Sequence, residues 1–443
     1  MGQKLNSILF LCAILAGTTA FFVMKKEKVS IDEKRELASI EPFSWESYSQ
    51  KKTSKNLKEY VADHFPFRTE FISGSDQLKA MKGINLETQE RIILAKKPSK
   101  AKPGAALDPT ASHLEYVAEF EEAYTGDLLI LNGRVYNLTG GSTKMSPVFA
   151  RMVNEYAEKL RGECTVYSAV APVACAFIPV EKYKRYNGQN RATLAAIGAN
   201  LSNGARFSDI FTELNNHSGQ QLFFGTDHHW NATGAYYAYV AFCKSAGIAP
   251  VPMDKMQKKV KYGFLGTMYQ HTRDLSVKNN PDTFAYYIPN VATTAVRYGE
   301  YNMNSPQKIS VFANSNGGNM YSTFISGDHP LIKITTGVKN GRKCAVVKNS
   351  MGNAFSVYLI SHYEEIYVVD FRYSKHNLLS LIRENKINDL IFAVGLYAAM
   401  SNGTIGMMRR LATNSGTVPA ALPVNAADSL NNKGASAKGD TLK

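Results

Sequence analysis

The sequence predicts an α/β fold, a mostly parallel sheet covered by helices and interrupted by a β-rich insertion. Three observations carry that prediction. From about residue 115, short apolar runs alternate with segments of helical periodicity. Runs such as Thr165 to Ala171 and Lys343 to Lys348 read as buried strands, as expected for a sheet covered on both faces. Between about 250 and 340 the rhythm breaks into short segments rich in Tyr, Thr, Asn and Gly, which read as the insertion.

The elements follow in order. Ile8 to Met24 carries no charge, with Lys4 before it and Lys25, Lys26 and Lys28 after it. The run is at the short edge for a membrane span and long for a signal-peptide core. Thr18-Thr19-Ala20 is a poor cleavage site, which favours an uncleaved signal anchor over residues 1–28. The lysines after the run oppose the positive-inside tendency. Leu9-Phe10-Leu11 before Cys12 lacks the small residues of a lipoprotein signal.

Residues 29–112 read as a juxtamembrane helical region and a linker. Leu57, Tyr60 and Val61 recur at helical spacing, as do Phe71, Leu78 and Met81 more loosely. His64-Phe65-Pro66-Phe67 interrupts them, because a residue before proline avoids the helical region. Pro98, Pro103, Gly104 and Pro109 mark the linker.

The main domain spans 113–410. Leu128 to Leu131 is a strand. Ser146-Pro147 opens a helix, with Ser146 as cap, and Val148, Met152, Tyr156 and Leu160 form its apolar face up to Gly162. Further helices are expected over Thr233 to Ala246, Asn353 to Tyr363 and His376 to Glu384. Further strands are expected over Ile366 to Phe371 and Leu390 to Leu396. Residues 411–443 are poor in large apolar side chains and read as a disordered tail.

Composition narrows the function. Fifty-one Lys and Arg against 37 Asp and Glu give a net charge of +14, which favours solubility and anionic partners. The basic residues are scattered, and no zinc-finger, RRM or helix-turn-helix spacing appears, so nucleic acid is excluded as a partner. Cys164, Cys175, Cys243 and Cys344 permit a disulfide on export, or buried free thiols. No Cys-x-x-Cys pair or His-rich cluster supports a metal site, and no cofactor is expected.

Two motifs carry chemistry. Gly225-Thr226-Asp227-His228-His229-Trp230-Asn231 lies immediately before a helix. Lys348-Asn349-Ser350-Met351-Gly352-Asn353 lies where a buried strand becomes a helix. A serine there sits at the carboxyl end of a parallel strand, where α/β sheets open their ligand crevice. It also sits at a helix N-terminus, whose N–H groups stabilise an oxyanion. Its hydroxyl needs an imidazole to take the proton and a carboxylate to orient that imidazole. His229 and Asp227 fit those roles. By itself a serine before a helix is an ordinary cap, and Asp-His-His is an ordinary turn or part of a metal site.

The tetrapeptide Asp227-His228-His229-Trp230 resembles the signature of the DHHW family. Through it the chain is similar to the SGNH-type alginate O-acetyltransferases, which carry Asp-x-His-Trp. The resemblance runs over residues 45–400. It includes Asp63 to Arg68, Gly225 to Tyr239, Tyr321 to Gly327, Lys348 to Phe355 and Val369 to Tyr373. It implies an SGNH-hydrolase-like three-layer α/β/α fold with Ser350 as nucleophile, His229 as base and Asp227 as the orienting carboxylate. It also implies acetyl transfer to a cell-surface or exported polysaccharide by an enzyme anchored outside the cytoplasm, with a membrane acyltransferase of the MBOAT type as donor partner.

Beside the triad, Asn132, Arg134, His228, Trp230 and Arg372 are candidate substrate contacts. For His228 and Trp230 packing is the competing role, and for Arg372 it is a structural ion pair. A carbohydrate acetyl esterase with the same triad stays open. The family usually has Asp where this chain has Asn349, which also leaves open a catalytically impaired binding or assembly protein. In SGNH enzymes that residue supports the nucleophile turn, so the resemblance implies that activity survives.

Overall fold

The computed structural model describes residues 2–24, 26, 29–30, 35–40, 42–49, 52–68, 71, 90–93, 127–300 and 305–416. The expected linker, the tail from 417 onward and the helical pattern at Leu78 and Met81 lie outside the described residues. The first residues of the expected tail are not disordered, since Leu411 and Ala412 are buried in the core and the Leu411 carbonyl accepts from the Leu378 N–H. The chain divides into two compact units that are not consecutive in sequence. The first holds 1–137, 225–228 and 265–282, and the second holds 138–224, 229–264 and 283–443.

In the first unit, Gly2–Val23 is helical. Among the described residues no helix is long and apolar enough to cross a membrane. The spacing of Leu57, Tyr60 and Val61 is realised in the helix Lys52–Asp63, which ends just before His64 and Pro66. A three-stranded sheet follows, ordered Glu90–Ile93, Asp127–Leu131 and Arg134–Leu138. Leu128, Ile130 and Val135 from that sheet pack with Met268 and Val277. Asn132 and Gly133 connect the last two strands with φ of 51° and 71°. Asn-Gly is the pair that tolerates a tight turn of this hand.

The second unit is mixed α/β and built on a large, mostly parallel sheet of eight strands. Glu365–Asp370, Lys343–Lys348, Asp389–Ala393, Thr165–Ser168 and Arg206–Phe207 run parallel, in that spatial order. Cys344 to Val347 is apolar at every position because the central strand is buried on both faces. Ala345 and Val347 share a core with Phe149, Tyr156, Leu378 and Met408 from three surrounding helices.

The β-rich region is not a separate insertion. Leu331–Thr336 pairs antiparallel with Glu365–Asp370, Thr293–Tyr298 pairs with it in turn, and Gln307–Ile309 closes the edge. Among the described residues of this region, Gln257–Phe264 and Asp282–Ile288 stand apart, as a two-stranded ribbon.

Two local expectations need correction. Ser146 begins its helix as a helical residue, not as the cap, and its hydroxyl donates to the Thr193 carbonyl at 2.8 Å. The helix expected from Asn353 begins at Met351 and tightens to 3-10 geometry from Val357. The helix Ala232–Ala246 follows expectation, capped by Asn231, which accepts from the Gly234 N–H, and closed by Gly247 at φ 70°.

Candidate active site

The segment before the helix Ala232–Ala246 is a loop fastened at its neck. The Phe224 N–H donates to the His229 carbonyl at 3.1 Å, and the Asn231 N–H to the Leu222 carbonyl at 3.0 Å. The tip, Gly225–His228, belongs to the first unit. There the buried Asp282 carboxylate accepts from the N–H groups of Gly225 and Thr226, and from the Thr226 hydroxyl at 2.7 Å. Arg134 lies 3.8 Å from the same carboxylate.

Asp227 is 2% exposed, and its Oδ2 accepts from the Thr267 N–H at 2.8 Å and the Thr267 hydroxyl at 3.0 Å. That hydroxyl has one proton and gives it to Asp227. It therefore accepts from His228 Nδ1, 2.8 Å away, which assigns the proton on His228 to Nδ1. The close approach depends on Gly266, where a Cβ would lie 2.3 Å from the Asp227 side chain.

In the second unit His229 Nε2 is 2.7 Å from Ser350 Oγ. Both residues are 3% exposed. The His229 ring lies on that of Tyr321, with centroids 3.7 Å apart and planes within 10°. The next residue repeats the pairing one step on, as Trp230 Nε1 donates to the Met351 carbonyl at 2.9 Å.

Ser350 stands where Lys343–Lys348 turns into the helix Met351–Ser356. The turn is too tight for a side chain at Gly352, whose Cβ would meet Lys348 Cβ at 2.4 Å and the Ala393 carbonyl at 2.9 Å. Asn349 Oδ1 accepts from the Gly395 N–H at 3.2 Å, tying the turn to the end of the neighbouring strand.

Below the turn lies a buried ionic cluster. Lys348 Nζ bonds to Asp370 at 2.7 Å and to Asp328. The Arg372 guanidinium forks onto Asp370 through Nε at 2.9 Å and Nη2 at 2.7 Å, and reaches Asp328 at 2.9 Å. Two cations against two carboxylates balance the charge, which is what makes so dry a cluster tolerable. Beside it, burial together with Arg297 and Lys348 lowers His329 to about 4.

Two substrate-contact expectations, Arg372 and Trp230, are corrected by these placements, and the other three residues are placed as follows. Arg372 is an ion-pair partner inside the cluster, 5% exposed at its side chain. Trp230 is 1% exposed and bonded internally, so it offers no face for a sugar to stack on. Asn132 is an exposed hairpin-turn residue, and its type is accounted for by its positive φ. Arg134 faces Asp282, and His228 Nδ1 is engaged by Thr267. Thr267, Tyr321 and Asp282 are the site residues that sequence reasoning did not find.

Thr267 engages Asp227 Oδ2 and His228 Nδ1, and Ser350 meets His229 Nε2. All five cysteines are free thiols. Burial pushes Cys175 and Cys243 up to about 12 and raises Cys164 and Cys344 as well, so these are packing thiols and not nucleophiles.

The family model for the DHHW protein matches residues 100–369, more than half of the chain, including the Asp-His-His-Trp run and Ser350. The chain belongs to the DHHW family. A DHHW family protein from Eubacterium siraeum is 33% identical, with a TM-score of 0.57 over 63% of this chain and 94% of that one. Bacillus cereus PatB1, solved with a sulfonyl adduct, is 17% identical, with a TM-score of 0.51 over 63% of this chain and 96% of that one. The O-acetyltransferase domain of Pseudomonas putida AlgJ is 11% identical, with a TM-score of 0.32 over 63% of this chain and 96% of that one, and bears no weight here. No curated protein matches the chain.

In this DHHW protein each letter of the signature has a physical task. Asp227 is a buried carboxylate held by Thr267, and His228 fixes the Thr267 hydroxyl. His229 meets the serine, and Trp230 fastens the loop to the residue after it.

Proposed function

We propose that this protein is an SGNH-type serine O-acetyltransferase that moves acetyl groups onto a cell-surface or exported polysaccharide. One observation carries the reading: His229 Nε2 sits 2.7 Å from the Ser350 hydroxyl at a strand-to-helix turn. In the proposed reaction His229 takes the Ser350 proton as Oγ attacks the acyl carbonyl. The Ser350 N–H is one donor for the oxyanion. His229 then returns the proton to the departing group, leaving an acetyl-serine. A glycan hydroxyl, deprotonated by His229, attacks that ester and carries the acetyl group away, and the proton returns to Ser350.

Asp227 is assigned the orienting role by its place in the family signature, and it is buried and held by two hydrogen bonds from Thr267. The three-layer SGNH arrangement, the anchor at residues 1–28, the placement outside the cytoplasm and an MBOAT-type donor partner belong to the same proposal. The anchor rests on the uncharged run Ile8 to Met24.

The test uses the full-length protein with a small activated acetyl ester and a panel of oligosaccharides. Acetylated sugar should exceed free acetate, and an aryl sulfonyl fluoride should label Ser350. Ser350→Ala and His229→Ala should each lose about 10³-fold or more in turnover. Undiminished turnover in Ser350→Ala would sink the mechanism. Acetate as the sole product across the panel would replace transfer with ester hydrolysis.

A further inference from the structure

We propose that the outward face of the ribbon of Gln257–Phe264 and Asp282–Ile288 is a binding surface for an anionic glycan chain, the acceptor. Only the word acceptor rests on the acetyl-transfer reading; the binding does not.

The ribbon is unlike the rest of its unit. Residues 257 to 260, 262 and 263 are exposed, and only Phe264 at the end of that strand is buried. In the second unit, Val260 at 40% and Tyr262 at 77% are the large hydrophobic side chains most open to solvent among the described residues. Between and before them stand Lys255, Lys258, Lys259 and Lys261, with Asp254 the one acid in the segment. Neither Lys258 nor Lys259 has a carboxylate partner among the described residues. A strand edge with lysines is a common guard against aggregation. That role leaves an outward tyrosine unexplained.

Aromatic contacts mark both faces of the ribbon. Lys258 lies over the Tyr287 ring, and Tyr286 stacks on Phe312 with centroids 5.9 Å apart and planes 21° from parallel. Phe312 lines a groove of about 460 Å³ with Lys308, Thr293, Thr294 and Ser310. Aromatic faces suit the C–H faces of sugar rings, hydroxyls suit their oxygens, and ammonium groups suit carboxylate or phosphate substituents.

The ribbon is also fastened to the catalytic region. Lys261 Nζ donates to the Ser315 carbonyl at 2.7 Å and to the Thr323 hydroxyl at 3.2 Å. Thr323 closes the short helix Gly317–Thr323, whose Tyr321 carries the His229 ring.

The experiment measures binding without turnover, in full-length protein carrying Ser350→Ala. Hexameric oligogalacturonate, maltohexaose and linear polyphosphate are titrated at low and high salt. Oligogalacturonate should bind, and more weakly as salt rises. Lys258→Glu with Lys259→Glu should weaken it about tenfold, and Tyr262→Ser about fivefold. Tyr262 is an open position where failure to fold is not at issue. The same charge change at two other exposed lysines, Lys144→Glu with Lys159→Glu, should leave affinity unaltered. Equal affinity for maltohexaose, equal affinity for polyphosphate, or no response to the ribbon variants would each overturn the proposal. Failure of the unsubstituted protein to label at Ser350, with ribbon binding intact, would instead count against the transferase reading alone.

Discussion

The imidazole of His229 lies flat on the phenol ring of Tyr321, 3.7 Å between centroids, while its Nε2 meets Ser350. The stack fixes the plane of the ring, so the nitrogen that faces the serine cannot swing away. An aromatic face also favours the charged imidazolium over the neutral ring.

Tyr321→Phe keeps the ring and should leave turnover within about twofold. Tyr321→Leu removes the face, and a loss of about 1 kcal/mol lowers kcat five- to tenfold.

Asn349 needs only an acceptor oxygen to hold the Gly395 N–H. Asn349→Asp supplies one and should keep activity within a few-fold, whereas Asn349→Ala frees the turn and should lower kcat about tenfold. Loss of activity in the Asp variant would show that the amide itself is needed.

Much of this site was legible in the sequence, for local reasons. Ser350 follows a continuous apolar run and precedes a helix, and both signals lie within ten residues of it. Asp227 and His229 come as a signature. Thr267, Tyr321 and Asp282 are ordinary residue types in irregular segments, and their roles exist only through contacts about 40 or more residues away along the chain. Tyr321 had one signal, its place in a block that resembles the family.

Arg372 and Trp230 misled for the converse reason. An arginine or tryptophan beside a motif reads as a ligand contact until its own bonding partners are known. The strands Thr293–Tyr298 and Leu331–Thr336 alternate like any half-covered hairpin, and nothing local tells that they extend the main sheet.

Gly352→Ala should be among the most damaging small substitutions in the chain. The added Cβ meets backbone at Ala393 and the stem of Lys348, whose head is fixed in the ionic cluster. A cost of about 1–3 kcal/mol is expected, read as a lower midpoint in urea with an unaltered slope.

His329 makes stability depend on pH. Its Nε2–H donates to the Ser326 carbonyl, and its Nδ1 accepts from Arg297 at 3.3 Å, so the folded ring is neutral. The unfolded residue titrates near 6.5, while the folded one waits until about 4. Between those values the unfolded chain binds a proton that the folded chain refuses. The His329 contribution is therefore full above about pH 6.5 and lost as pH falls toward 4. His329→Phe should flatten the dependence of the urea midpoint across that window, whatever it does to the midpoint itself.

His229 meets Ser350 and Trp230 meets Met351, two consecutive residues matched with two others, each pair separated by 121 positions. Closing so long a stretch is slow compared with forming any local turn. A newly made chain therefore carries its serine without a base for most of its folding, and the hydroxyl stays as inert as any other. The two contacts also share one register, so a single-residue slip forfeits the pin and the proton acceptor together. The serine and its base are thus joined late and all at once, with the fold itself as the timer.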